Sequence, residues 1–151
     1  MRIAASVGEM MRARDEIAVV TVDASVRQVV DVMVKARVEG VLVVDGRGRV
    51  VGSIGDEQLV RRANEGPARP WCRHDEPDEG ILDLGAGEVM LTRVVPVNTD
   101  VPLLSAVRLL DEYAVNVLPV LDERHRLVGA LFRCDLVKQL FCPGARTGIA
   151  S

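Results

Sequence analysis

Two periods of apolar residues alternate along this chain, and the whole succession runs through twice. In the first pass, Ser25 and Gln28 have the spacing of a capping box, and Val26, Val29, Val30 and Met33 follow at helical intervals. The pattern predicts a helix to about Arg37. Valine is a poor helix former, so this helix depends on burying its apolar face. The β-branched run over 17–22 predicts a strand before it. Apolar runs over 41–44 and 49–54 predict two strands joined by Asp45-Gly46-Arg47-Gly48, a turn with glycines for the positive φ that tight turns require. Asp56 caps a helix expected over 59–63.

The second pass has the same order. A strand is expected over 93–97, and Asp100 and Pro102 mark a helix start with Leu103, Ala106, Val107 and Leu110 on its buried face. Strands over 117–121 and 127–131 form a second hairpin, and a helix over 133–141 closes the pass. Each pass is preceded by a short helix, after Ser6 with capping-box spacing to Glu9, and over 87–90. The register of the two passes is plain at the hairpins: Val43-x-Asp45-x-Arg47-x-Arg49-x-Val51-Gly52 recurs as Val120-x-Asp122-x-Arg124-x-Arg126-x-Val128-Gly129. The signature marks an internal repeat. A half of about 55 residues is near the lower limit for a self-sufficient core, so the halves are expected to fold together about a pseudo-two-fold axis. The organisation is a first repeat over 7–63, a linker over 64–85, a second repeat over 86–141 and a tail over 142–151. The linker holds Pro67, Pro70, Pro77 and an acidic run, and Trp71 within it is expected to pack down onto the domain.

Composition narrows the function. Hydrophobic residues are 48% and charged residues 27%, a globular balance with a core built from aliphatic side chains. A net charge of -3 argues against a general nucleic-acid or anionic-membrane binder. No apolar run is long enough to span a bilayer, and the N-terminus lacks a signal peptide's pattern, so a cytoplasmic protein is expected. Cys72, Cys134 and Cys142 have no CxxC spacing and are expected to be reduced, with Cys134 an inert buried thiol. Cys72, His74 and Asp75 do not make two spaced ligand pairs, so no metal site is expected. His125 is expected to be exposed on a hairpin tip, and no partnered nucleophile supports catalysis.

Val117-Leu118-Pro119-Val120-Leu121-Asp122, then Leu127-Val128-Gly129 and Asp135, resembles a CBS domain. Val41-Leu42-Val43-Val44-Asp45 with Val50-Val51-Gly52 is similar in the first repeat, and the pair resembles a tandem CBS (Bateman) module of the stand-alone bacterial type. The resemblance implies an α+β fold of two β-α-β-β-α repeats, and a regulatory module that is not an enzyme. It implies no required cofactor, but a cleft for an adenosine-containing ligand (AMP, ADP, ATP or S-adenosylmethionine). It also implies a homodimer, and regulation of a protein partner.

In the family, the last strand enters its helix as Gly-hydrophobic-x-Thr/Ser-x-x-Asp, with the Asp accepting from ribose hydroxyls and the Thr/Ser near phosphate. A carboxylate suits a diol, and free N–H groups at a helix start suit an anion. The second repeat keeps Asp135 but has Phe132 at the hydroxyl position, with Arg133 able to offset phosphate charge. Val97, Val115, Asn116 and Val117 correspond to the adenine pocket. The first repeat has Gly55 and Gln58 at the two motif positions, with Val20, Val38 and Glu39 as its pocket counterparts and acidic Asp56 and Glu57 beside them. The alternative is a structural or protein-docking module with degenerate clefts.

Overall fold

A computed structural model describes residues 6–65 and 79–141. Trp71, the 72–75 cluster and the tail lie outside them. In chain order the elements are α1 (Val7–Met10), β1 (Arg12–Ala13), a 3-10 turn (Arg14–Glu16), β2 (Val19–Thr21), α2 (Val26–Ala36), β3 (Gly40–Val44), β4 (Val50–Gly55) and α3 (Asp56–Glu65). Then come α4 (Glu79–Leu82), α5 (Ala86–Val89), α6 (Leu103–Glu112), β5 (Val117–Leu121), β6 (Leu127–Phe132) and α7 (Arg133–Phe141).

The chain divides into two compact units. One joins Met1–Ile17 to Val94–Ser151, and the other is Ala18–Arg93. Each unit therefore takes its first short helix from outside its own pass of the pattern. In the Ala18–Arg93 unit, α5 docks by Ala86 N donating to Ala24 O at 2.7 Å and Gly87 N to Val22 O at 3.1 Å. In the other, α1 docks the same way, with Val7 N donating to Val101 O at 2.9 Å and Gly8 N to Thr99 O at 3.0 Å.

The sheet of the Ala18–Arg93 unit has the order β2-β3-β4, parallel between β2 and β3 and antiparallel between β3 and β4. Its core gathers Val20, Val26, Val29, Met33, Val41, Val43 and Ile54. Helix α2 starts with the expected capping box: Ser25 Oγ accepts from Gln28 N and Gln28 Oε1 accepts from Ser25 N. Burying such a face stabilises by about 1.5–3 kcal/mol per large aliphatic side chain, which outweighs valine's weak helix propensity. At the hairpin, Asp45 accepts from the N–H groups of Arg47 and Arg49, and Gly48 takes φ +79°.

The other unit's sheet has the order β1-β6-β5, all antiparallel. The strand expected over 93–97 is absent. Only Val97 bridges to Val120, with Val97 N donating to Pro119 O and Leu121 N to Val97 O. Where the first unit pairs Val19 with Leu42, the second repeat has Pro96 and Pro119, so the ladder loses two N–H donors and stops. Strand β1 and the following 3-10 turn carry no apolar period, and the sequence pattern does not mark them; the strand expected over 17–22 is confined to Val19–Thr21. Ser6 is the N-cap of α1, but its side chain makes no capping bond. Asp56 lies inside α3 and not at its cap; Gln58 Oε1 reaches back to Gly55 N at 2.7 Å.

Glycine explains why β1 forms. A Cβ on Gly129 would collide with Arg12 O, and a Cβ on Gly52 would lie 2.5 Å from Leu91 O. The bare backbone of β6 thus lets Arg12 pair with Ala130, and that of β4 lets Leu91 bridge to Ser53. The two glycines occupy the same position of the repeated signature, so Leu91 is the structural counterpart of Arg12.

Candidate functional site

The carboxylate of Asp135 stands in the first turn of α7, directly after β6, and the residue is 6% exposed. A buried carboxylate needs a partner. Here it is Arg12, delivered by β1: Nε donates to Oδ2 at 2.7 Å and Nη2 to Oδ1 at 2.9 Å. This is the two-pronged geometry in which arginine binds carboxylate most strongly. The Arg12 guanidinium also lies over Phe132, 4.8 Å from the ring centroid. Phe132, at the position where the family motif has a hydroxyl, is buried and forms the floor under this ion pair.

Arg133 turns away from this carboxylate. Its Nη2 donates to Leu110 O at 2.9 Å and Val115 O at 3.1 Å, bracing the end of α6 and the approach to β5. Its Nε is buried without a hydrogen-bond partner among the described residues. Its backbone N–H donates to Asn116 O at 2.8 Å. Val97, Val115 and Val117 are buried and Asn116 is half-buried. Gln139, a turn after Asp135 on α7, is also buried, and its Nε2 lacks a partner among the described residues. Cys134 is half-buried, not buried as expected, with Sγ 4.0 Å from Asp135 Oδ1.

The corresponding position of the Ala18–Arg93 unit differs in every charged member. Leu91 replaces Arg12, Gly55 replaces Phe132, Asp56 replaces Arg133 and Gln58 replaces Asp135. Gln58 is spent on capping Gly55 N. Val38 and Glu39 line an open groove of about 470 Å³ with Met33, Arg37, Asp56 and Leu59. Val20 is buried in the core and does not line it. At the Asp135 position the carboxylate is accompanied in space by Arg12, while Arg133, two residues before it in the chain, directs its guanidinium to Leu110 O and Val115 O. At the Gln58 position, Asp56 and Glu57 leave the helix start acidic. Of the two, the Asp135 position has the charge to hold an anion beside a diol.

Elsewhere in the Asp135 unit, a concavity of about 650 Å³ lies at the hairpin tip, lined by Met11, Asn98, Asp100, Arg124, His125 and Arg126 among others. His125 is exposed there, with φ +61°, at the place of Gly48. Among the described residues no three His, Cys, Asp or Glu side chains are grouped to hold a metal ion. No helix among them is long and apolar enough to cross a membrane. Sequence reasoning missed Arg12, which is 123 positions from Asp135 and belongs to no motif.

The family model of the CBS domain matches residues 7–65 and 86–141. A CBS domain-containing protein of Dictyostelium discoideum is 33% identical over 98 residues, a match that spans 65% of this chain and 66% of that protein's length. Among solved structures, CBSX2 in complex with AMP is 26% identical, with a TM-score of 0.69, covering 98% of this chain and 100% of that one. The cytosolic domain of the Mg2+ channel MgtE in complex with ATP is also 26% identical, with a TM-score of 0.62, covering 89% of this chain and 48% of that one.

Proposed function

The chain belongs to the CBS domain family, carrying two copies in tandem, and on that premise we propose that it is a regulatory module, not an enzyme, that binds an adenosine-containing metabolite. The ligand belongs to the AMP, ADP, ATP or S-adenosylmethionine class and is taken at the Asp135 position. One observation carries this reading: a nearly buried carboxylate at the start of α7, held by Arg12 and preceded by Arg133. The carboxylate accepts ribose hydroxyls, and the Arg12 guanidinium balances a phosphate. The AMP and ATP held by two relatives at 26% identity support the ligand class. Binding regulates by favouring whichever conformation holds the ligand more tightly.

The test is thermal unfolding with AMP, ADP, ATP and S-adenosylmethionine. A ligand at 100 times its dissociation constant adds about 2.7 kcal/mol of stability. No shift with any of the four would overturn the reading in favour of a docking module with closed clefts. The bidentate Arg12–Asp135 pair and the engaged Gln58 are the observations that favour that second reading.

We also propose a homodimer in the cytoplasm, acting on a separate protein partner. Support for the dimer comes from Val34 of α2, Val60 of α3, Leu104 of α6 and Val137, Leu140 and Phe141 of α7, all exposed. Light scattering at tens of micromolar tests it, and a monomer mass would count against it.

A further inference from the structure

We propose that Arg12 is an internal occupant of the Asp135 carboxylate, and that it makes the site select phosphate-bearing nucleosides over neutral ones. The inference rests on the reading of Asp135 as the ribose acceptor. Its basis is the geometry within one unit. Arg12 donates to both carboxylate oxygens, at 2.7 and 2.9 Å, and so occupies the acceptors to which a diol would donate its own two hydroxyls. The backbone of Arg12 is fixed by pairing with Ala130, and Gly129 keeps that approach open. The Arg12 side chain is 27% exposed while that of Asp135 is 9% exposed. The guanidinium can therefore turn outward without moving β1, whereas the carboxylate stays in place.

The other unit provides an internal comparison. It keeps the glycine and the short bridging segment, yet Arg12, Phe132 and Asp135 are replaced together by Leu91, Gly55 and Gln58. Holding the segment against the sheet thus requires neither the arginine nor the carboxylate. The ion pair adds something other than sheet architecture.

The selectivity follows from charge pairing. A neutral nucleoside gives Asp135 its hydroxyls but brings no anion to replace the carboxylate that the guanidinium gives up. A nucleoside phosphate gives partners to both groups, since guanidinium binds phosphate oxygens with the same fork it presents to a carboxylate. The internal pair lowers the fraction of chains competent to take a diol, and apparent affinity falls by that fraction.

Calorimetric titration of adenosine and AMP into the wild type and Arg12→Ala tests this. The wild type should bind AMP at least ~10-fold more tightly than adenosine, and Arg12→Ala should bind adenosine ~10-fold more tightly than the wild type does, as expected when a competent fraction near one tenth rises to one. In Arg12→Ala the two ligands should differ by no more than ~3-fold, since the group that reads phosphate is gone. Unchanged or weakened adenosine binding in Arg12→Ala, or a retained AMP preference, would overturn the proposal.

The outcomes separate it from the reading beneath it. AMP binding to the wild type with no gain of adenosine by Arg12→Ala sinks the role of Arg12 and leaves the adenosine site standing. Adenosine binding by Arg12→Ala alone, with no adenosine-containing ligand held by the wild type, overturns the phosphate selectivity and removes adenosine metabolites as the native ligand, leaving Arg12 only as a block on the carboxylate. Binding by neither variant sinks both. Should Arg12→Ala fail to fold, Arg12→Lys keeps the charge but loses the fork; adenosine should then bind more tightly than to the wild type by a few-fold, and an unchanged affinity overturns the proposal.

Discussion

Cutting the Arg12–Asp135 pair from either side should destabilise the chain unequally, and cutting both should cost less than the two cuts summed. Removing one partner of a buried ion pair costs about 3–5 kcal/mol, because the other charge is left without compensation. This pair is only partly buried, with side-chain exposures of 27% for Arg12 and 9% for Asp135. Arg12→Ala strands the less exposed group and should cost about 3 kcal/mol, at the lower end of that range. Asp135→Ala leaves a guanidinium that reaches water and still lies over Phe132, so about 2 kcal/mol is expected. The double variant leaves no stranded charge and should lie within about 1 kcal/mol of Arg12→Ala, a coupling energy of about 1–3 kcal/mol. Urea unfolding of the four proteins measures this, with unchanged slopes licensing the comparison of midpoints. Additive losses, or a larger loss for Asp135→Ala than for Arg12→Ala, would refute the reasoning.

Three further outcomes are expected. Gly129→Ala puts a methyl group against Arg12 O, so it should destabilise by about 1–3 kcal/mol in urea and reduce the Arg12–Asp135 coupling; an unchanged midpoint would contradict the role given to that glycine. Ser25→Ala removes the hydroxyl that caps α2 and should cost about 0.5–2 kcal/mol by the same assay, with a loss near zero arguing against the capping box. The N–H of Arg126 above all, with that of Arg124 and the Arg126 side chain, holds Asp122 below its ordinary 3.8. A carboxylate lowered on folding stabilises above its unfolded value and loses that contribution as pH falls through the folded one, so Asp122→Asn should lower the unfolding temperature near neutral pH but not well below pH 3.8; a loss independent of pH would contradict this.

The hairpins were legible because their chemistry is local. Asp45 and Asp122 each fold back on N–H groups two and four residues ahead, and a repeated Asp-x-Arg-x-Arg pattern suffices to reveal it. The capping box at Ser25 was legible for the same reason. The apolar period over 93–97 misled because period reports burial and not donors. Val97 is buried as the pattern requires, yet Pro96 and Pro119 leave too few N–H groups for a ladder. Strand β1 is the reverse case: Arg12–Ala13 has no period of its own, and a shape in a distant strand, the bare edge at Gly129, makes room for it.

The site divides the same way. Asp135 was found by its motif, at the junction of β6 and α7. Arg12, its partner, was invisible because 123 residues separate them and no local rule joins the two. The one available signal was indirect. Two glycines at the same place in both repeats imply a backbone passing close by, and a charged residue in the short segment after α1 is then a candidate to reach the strand end.

The central claim is that Asp135 is the acceptor for an adenosine-containing ligand. Calorimetric titration of AMP into the wild type and into Asp135→Asn tests it most directly, since the amide keeps the shape and removes the second acceptor oxygen. One AMP per chain is expected in the wild type, because Gln58 stands in the other repeat where Asp135 stands in this one, and that binding should be lost in Asp135→Asn. Equal binding by the two proteins, or no heat with AMP or any other ligand of its class in the wild type, would contradict it.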